Sequence, residues 1–336
     1  MTLCAAFVLG STLVPLTGSA SASAAELSGA GSTLIAPLLE GYWAPGFERE
    51  DGVKVKYGAV GSGAGIEQIS ARAVDFGASD APLTPAQSAG CHGCIQVPWA
   101  LTATGIAYHI EGISRLRLSG PVLADIYLGK ITNWDDPAIA RLNKGEHLPN
   151  LPISVVYRSD GSGDTYAFTD YLSRISPEWK SRVGNATSVS FPVGTGGKGN
   201  AGVTAVVVST NGAIGYISAS YIIAHHLGAA ALENAAHRFI YPNLRNIEDA
   251  ALSIKRVPAN NEMHIVNPPA KYRIAYPLST FTYCLVPENA PQKALIGRWV
   301  TYAVTTGQRY GAALDFAPIP KVVRAAIERT LRRIGS

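Results

Sequence analysis

The sequence predicts an α/β protein built as two medium-sized domains. Short apolar, β-branched runs alternate with helical apolar spacing along the chain. The length, 336 residues, is more than one small core fills. Hydrophobic residues make up 47% of the chain, enough to bury a large interior. Charged residues are only 15%, against roughly 25% in ordinary soluble proteins. Ala, Gly, Ser and Thr fill the difference, a composition that suits an exported α/β protein.

The apolar run Leu3 to Leu16 is too short to span a membrane. Small residues follow from Gly18 to Ala25, with Ala20-Ser21-Ala22 and Ala22-Ser23-Ala24 as cleavage candidates. Residues 1–25 are therefore expected to be a secretory signal, and the protein to be periplasmic or extracellular. No basic residue precedes the run, so the natural start is expected upstream of Met1. Cys4 falls too early for a lipoprotein signal of normal length.

Further along, Leu34, Leu38 and Tyr42 recur at helical spacing and Val53 to Tyr57 reads as a strand. Ile66, Ile69 and Ala73 mark a second helix, and Val74 to Gly77 a second strand. Gly105 to Ile110 is the next strand; Val122 to Leu128 and Pro137 to Leu142 are short helices, the latter opened by Asp135-Asp136-Pro137. Ile153 to Tyr157 is a strand, followed by a helix carrying Phe168, Tyr171 and Leu172. Ala213 to Ile217 and Thr280 to Val286 are buried strands, and Leu295 to Val304 is a helix. Arg324, Arg329, Arg332 and Arg333 share a C-terminal helix with Val322, Val323, Ile327 and Leu331, and are expected on its solvated face. The net charge of +4 has no basic block behind it in the first 300 residues, so no nucleic acid partner is expected. Cys91-His92-Gly93-Cys94 has no second C-x-x-C to complete a zinc site; Cys91 and Cys94 are expected to close a small disulfide loop. Cys284 reads as a buried strand residue.

Three turns share one design: Gly29-Ala30-Gly31-Ser32-Thr33, Gly61-Ser62-Gly63-Ala64-Gly65 and Asp160-Gly161-Ser162-Gly163-Asp164-Thr165. Each is rich in glycine and hydroxyls and opens a helix. Glycine admits a ligand close to the backbone, and helix N-termini offer free N–H donors, so together they can cradle an oxyanion without a metal or cofactor. A Ser or Thr at such a place also caps its helix, whatever else it does. None of the three matches a nucleotide-binding glycine motif. Arg158, just ahead of the third turn, can grip an anion bidentately.

Asp80, after Phe76-Gly77-Ala78-Ser79, decides which anion. A carboxylate in an anion site makes sense only if the ligand brings a proton. Hydrogenphosphate has an O–H to donate; sulfate at neutral pH has none, and facing it an unpaired acceptor costs about 1–3 kcal/mol.

These segments resemble the PstS family, the substrate-binding proteins of high-affinity phosphate ABC transporters. The resemblance covers nearly the whole mature length. It is carried by the first two turns, by Val74-Asp75-Phe76-Gly77-Ala78-Ser79-Asp80-Ala81-Pro82 and by Asp125-Ile126-Tyr127-Leu128-Gly129-Lys130-Ile131. Asn133-Trp134-Asp135-Asp136-Pro137, Arg158-Ser159-Asp160-Gly161-Ser162-Gly163, Gly196-Gly197-Lys198-Gly199-Asn200 and Gly212-Ala213-Ile214-Gly215-Tyr216 continue it.

The resemblance implies a two-lobed periplasmic-binding-protein-like fold, each lobe a mixed sheet flanked by helices, joined by two crossing hinge segments. Lobe I is expected over 26–109 and 276–336, and lobe II over 110–275. Carried over, Thr33 and the Leu34 N–H bind phosphate, with Ser32 in support. Ser62, Ser162 and the Gly163 N–H add donors, Asp80 accepts the phosphate proton, and Arg158 supplies charge, oriented by Asp160. The implied partners are inorganic phosphate and the membrane permease of an ABC importer; a monomer is expected. The family often has Phe where this chain has Leu34, and commonly Thr where it has Asp164. A second carboxylate at 164 either wants a second ligand proton or caps its own helix.

An enzyme reading, with Ser162 as nucleophile, has no histidine in an evident partner role. Other oxyanions remain as rivals: arsenate carries the same protons as phosphate, while Asp80 argues against sulfate.

Overall fold

The computed structural model describes residues 25–335; the signal segment expected over residues 1–25 lies, but for its last residue, outside them. β1 (Glu26–Gly31) leads into a helical stretch of three joined pieces: α1 (Ala36–Leu38), a π-helical turn (Leu39–Trp43) and α2 (Ala44–Asp51). Pro45 has no N–H for the carbonyl four residues back, and the wide turn sits just ahead of it. β2 (Lys54–Ala59), α3 (Ser62–Ser70), β3 (Phe76–Ser79) and α4 (Pro85–Gly90) follow.

β4 (Cys94–His109) is a long strand, buried along nearly its whole length. Beyond it come β5 (Arg117–Leu118), α5 (Gly120–Tyr127), α6 (Pro137–Leu142), β6 (Ser154–Arg158), α7 (Gly163–Ile175) and α8 (Pro177–Arg182). Next are β7 (Thr195–Gly197), α9 (Gly199–Ser209), β8 (Ala213–Ser218), α10 (Ala219–Ala224) and β9 (Gly228–Ala229). β10 (Ala231–Glu233), β11 (Phe239–Ile240) and α11 (Leu244–Ala251) precede β12 (Ser279–Pro287), α12 (Lys293–Val304) and α13 (Lys321–Gly335).

Among the described residues, nine strands join in one sheet, ordered β2-β1-β3-β12-β4-β8-β6-β7, with β9 beside β4. β1, β2 and β3 run parallel, as do β6, β7 and β8; β12 and β4 are antiparallel to their neighbours. β4 divides the sheet into two lobes. Its Cys94–Ala103 stretch pairs with β12, and Thr104–His109 with β8. The limit expected at residue 109 is the end of this strand, whereas the change of partner falls between Ala103 and Thr104. There Thr104 N–H donates to Leu278 O, on the chain's way back into β12.

Each lobe has its own aromatic core. Trp43, Trp99 and Trp299 meet edge to face with Phe76 in the first. Phe168 stacks on Tyr216 in the second, beside Tyr127 and Trp179. Such pairs contribute about 0.5–1.5 kcal/mol beyond the area they bury.

Three details differ from the sequence reading. The strand expected from Val74 begins at Phe76, and the one expected from Gly105 is only the end of β4. The earlier part of β4 is buried on both faces, so it lacks the polar alternation that marks a strand. α9 went unread because Gly199, Gly202 and a Val-rich run are poor helix formers held by packing against β6 and β8. Cys91 and Cys94 are joined by a disulfide, Cys284 is buried in β12, and Arg324, Arg329, Arg332 and Arg333 are exposed on α13.

Candidate functional site

The carboxyl ends of β1, β2 and β3 from one lobe meet those of β6 and β7 from the other. Ligands of open α/β sheets bind at such ends. After β1, Ser32 N–H donates to Ala78 O, which ties the first turn to β3. Ser32 Oγ lies 2.6 Å from both carboxylate oxygens of Asp80 and accepts the Leu34 N–H at 3.0 Å. The helix itself begins only at Ala36, so this turn does not open it directly as expected. The Leu34 side chain is fully buried in the core.

After β2, Gly61 takes a left-handed φ of 95° and Ser62 starts α3. Ser62 does not cap that helix. Its Oγ accepts from Asp80 N–H at 3.2 Å and from Gly163 N–H at 3.1 Å, and donates to Asp80 Oδ2 at 3.3 Å. Asp80, just past β3, is 2% exposed.

From the second lobe, Arg158 closes β6 with its backbone N–H on Tyr216 Oη. Its Nε and Nη2 donate to Asp160 at 2.8 and 2.6 Å, and Nη1 to Asp164 Oδ2 at 2.9 Å. Asp160 also accepts the Gly199 N–H. Ser162 caps α7, accepting from Thr165 N–H at 3.2 Å. The capping alternative for Asp164 is thereby corrected: its carboxylate turns inward, to Thr104 Oγ1 at 2.7 Å, Arg158 and Asn200 Nδ2 at 2.8 Å. The N-cap position belongs to Ser162, and Asp164 stands two residues on, inside the first turn, where its side chain is free to turn inward.

The lobes touch here. Gly63 N–H donates to Gly161 O at 2.9 Å. A Cβ at Gly163 would run into the Asp80 side chain, and one at Gly61 into Asp160. Glycine is what lets these turns approach.

Two carboxylates, Asp160 and Asp164, thus pair with one guanidinium, and a third, Asp80, lies buried nearby. Burial, and then the Asp164 charge, push Asp80 up to about 7, against the Ser32 and Thr282 hydroxyls and Arg158, which favour its ionised form. Burial also raises Asp164, opposed by Arg158, Thr104 and Asn200. Burial acts upward on Asp160 too, but its Arg158 contact prevails and holds it below the ordinary range.

All the expected site residues therefore converge: Ser32, Thr33, Leu34, Ser62 and Asp80 from one lobe, and Arg158, Asp160, Ser162, Gly163 and Asp164 from the other. The sequence reading missed Asn200, which is fully buried and hydrogen-bonds Thr33, Asp164 and Ser218. A signal existed. Gly196-Gly197-Lys198-Gly199-Asn200 is a fourth glycine-rich turn between a strand and a helix.

A family model described as "PBP superfamily domain" matches residues 17–306. The chain is 37% identical over 308 residues to the phosphate-binding protein PstS of Xylella fastidiosa, covering 90% of this chain and 84% of the relative. It is 37% identical over 310 residues to the protein of that name from Pasteurella multocida, covering 91% and 89%. Among solved structures, the phosphate-binding protein of Stenotrophomonas maltophilia superposes with a TM-score of 0.72 at 18% identity, covering 91% of this chain and 94% of that one. PfluDING, a high-affinity periplasmic phosphate-binding protein bound with phosphate, superposes with a TM-score of 0.73 at 21% identity, covering 90% and 93%. At such identities the superpositions speak for the fold alone.

Proposed function

This chain belongs to the PBP superfamily and, within it, to the PstS phosphate-binding proteins, and from that premise we propose that it captures inorganic phosphate between its two lobes. Thr33, the Leu34 N–H, Ser62, Arg158, Ser162 and the Gly163 N–H would donate to the anion, with Ser32 and Asp160 in support. Asp80 would accept its proton, and Asp164 would complete the wall beside Arg158.

The observation that carries this reading is the surroundings of Asp80. A buried carboxylate, with a pKa lifted to about 7, sits among hydroxyl and N–H donors from both lobes. In this arrangement the Ser32 and Ser62 hydroxyls point at Asp80. When phosphate enters, its own O–H replaces them on the carboxylate, and the freed hydroxyls turn to the phosphate oxygens. Each charge-assisted hydrogen bond made in the dry seam contributes about 1.5–3 kcal/mol. Sulfate cannot make the exchange, because it has no proton to place on Asp80.

Capture needs no covalent chemistry. The lobes pivot where β4 changes partner, closing as a hinge and shutting out water. The loaded protein, a monomer outside the cytoplasmic membrane, then hands phosphate to the membrane permease of an ABC importer. Titration calorimetry of the phosphate-free protein tests the reading. One phosphate should bind per chain, and a millimolar excess of sulfate should not displace it. An absence of phosphate binding, or ready displacement by sulfate, overturns it.

A further inference from the structure

Asn200 lies in the first turn of α9 on the second lobe, yet it reaches across the seam. Its backbone N–H lies 3.2 Å from Thr33 Oγ1, and its side-chain Nδ2 lies 2.9 Å from the same oxygen. Nδ2 also donates to Asp164 Oδ2 at 2.8 Å, while Oδ1 accepts the Ser218 N–H at 2.7 Å. These contacts fix which way the amide faces. Turned over, the oxygen would oppose the Asp164 carboxylate, and the NH2 would oppose a backbone N–H. Both Asn200 and Ser218 are fully buried, so no water compensates for the wrong orientation.

The consequence falls on Thr33. A hydroxyl has two lone pairs and one proton. Asn200 fills both lone pairs of Thr33 Oγ1 with donors, so the proton is all that Thr33 can offer a ligand. Asp164 is nearly filled, since three protein donors take three of the roughly four acceptor sites on its oxygens and leave one on Oδ1. Thr33 is thereby removed as an acceptor of a ligand proton, and that part is left to the carboxylates, Asp80 foremost.

We propose that Asn200 is an interlobe latch and a positioning residue for phosphate specificity: it ties α9 to Thr33 when the lobes meet, and forces Thr33 to act only as a donor. This rests on the phosphate reading above. Because the Asn200–Thr33 bonds exist only while the lobes are together, their strength adds to ligand residence time rather than to the stability of either lobe.

The test is stopped-flow and calorimetric phosphate binding by Asn200→Ala, Thr33→Val and the double variant, beside the wild type. Asn200→Ala should weaken phosphate binding about tenfold to a hundredfold, mostly through faster release, with the association rate within about threefold of wild type. The two substitutions should be non-additive, with Thr33→Val costing at least about threefold less in the Asn200→Ala background. If Asn200→Ala does not fold, Asn200→Ser, which keeps the backbone N–H at the helix start and removes only the amide, carries the same test. Wild-type phosphate binding with unchanged release in the Asn200 variant, or strictly additive effects, overturns the latch while leaving the phosphate reading intact. A wild type that binds no phosphate overturns both.

Discussion

The Gly163 N–H donates to Ser62 Oγ at 3.1 Å, from the first residue of α7 on one lobe to the first residue of α3 on the other. Ser62 Oγ also accepts the Asp80 N–H. One hydroxyl thus registers the second lobe against Asp80, the residue proposed to read the ligand proton.

Gly163→Ala tests that registration. Gly163 is helical with no positive φ, so alanine suits α7 itself, and the atoms nearest the added Cβ all belong to Asp80 across the seam. The ligand-free melting temperature should move by no more than a few degrees, while phosphate affinity should fall about a hundredfold or more. Calorimetry together with thermal unfolding separates the two. A large loss of ligand-free stability with intact affinity contradicts the seam as drawn.

The raised pKa of Asp80 makes stability depend on pH. Its protonated form is favoured by the folded, phosphate-free protein. The stabilisation is therefore complete below the ordinary carboxylate range near pH ~4 and is lost as pH rises through about 7. Asp80→Asn keeps the shape and removes the titration. In phosphate-free buffer the variant should melt above the wild type at pH 8, and the gap should narrow steadily toward pH 5. A constant gap across that range would mean Asp80 is ionised throughout.

Asp164 and Asp80 are both pushed toward the protonated form, and Asp160 is held ionised by Arg158. As pH rises, Asp80, lifted to about 7, and phosphate, whose second ionisation lies near pH ~6, shed protons over overlapping ranges. Phosphate affinity should therefore fall between pH 5.5 and 8. Asp164→Thr should flatten that fall by removing one of the two raised carboxyls. Titration calorimetry at the two pH values reads both effects, and equal wild-type affinities would remove Asp164 from any part in ligand protonation.

The site was legible in the sequence wherever its chemistry is local. Ser62 and Ser162 stand in glycine-rich turns beside helix starts, and Arg158 ends a β-branched run, so strand, turn and helix can be read together. What Ser62 does was not legible: its partners, Asp80 and Gly163, come from other elements. Asp164 shows the same limit, because first-turn position suggests a cap while the fold supplies Thr104, Arg158 and Asn200 as stronger partners. β4 hid its first half because burial on both faces erases periodicity. α9, and with it Asn200, escaped because glycine and valine predict no helix.

Asp80 is proposed to select the anion by accepting a hydrogen bond from its O–H. Titrating wild type and Asp80→Asn with phosphate and with sulfate at pH 7 tests this most directly. The wild type should bind phosphate tightly and sulfate negligibly. The phosphate-over-sulfate preference should be at least about tenfold smaller for the variant, whose amide can donate to sulfate. The same preference in both proteins would contradict this role for Asp80.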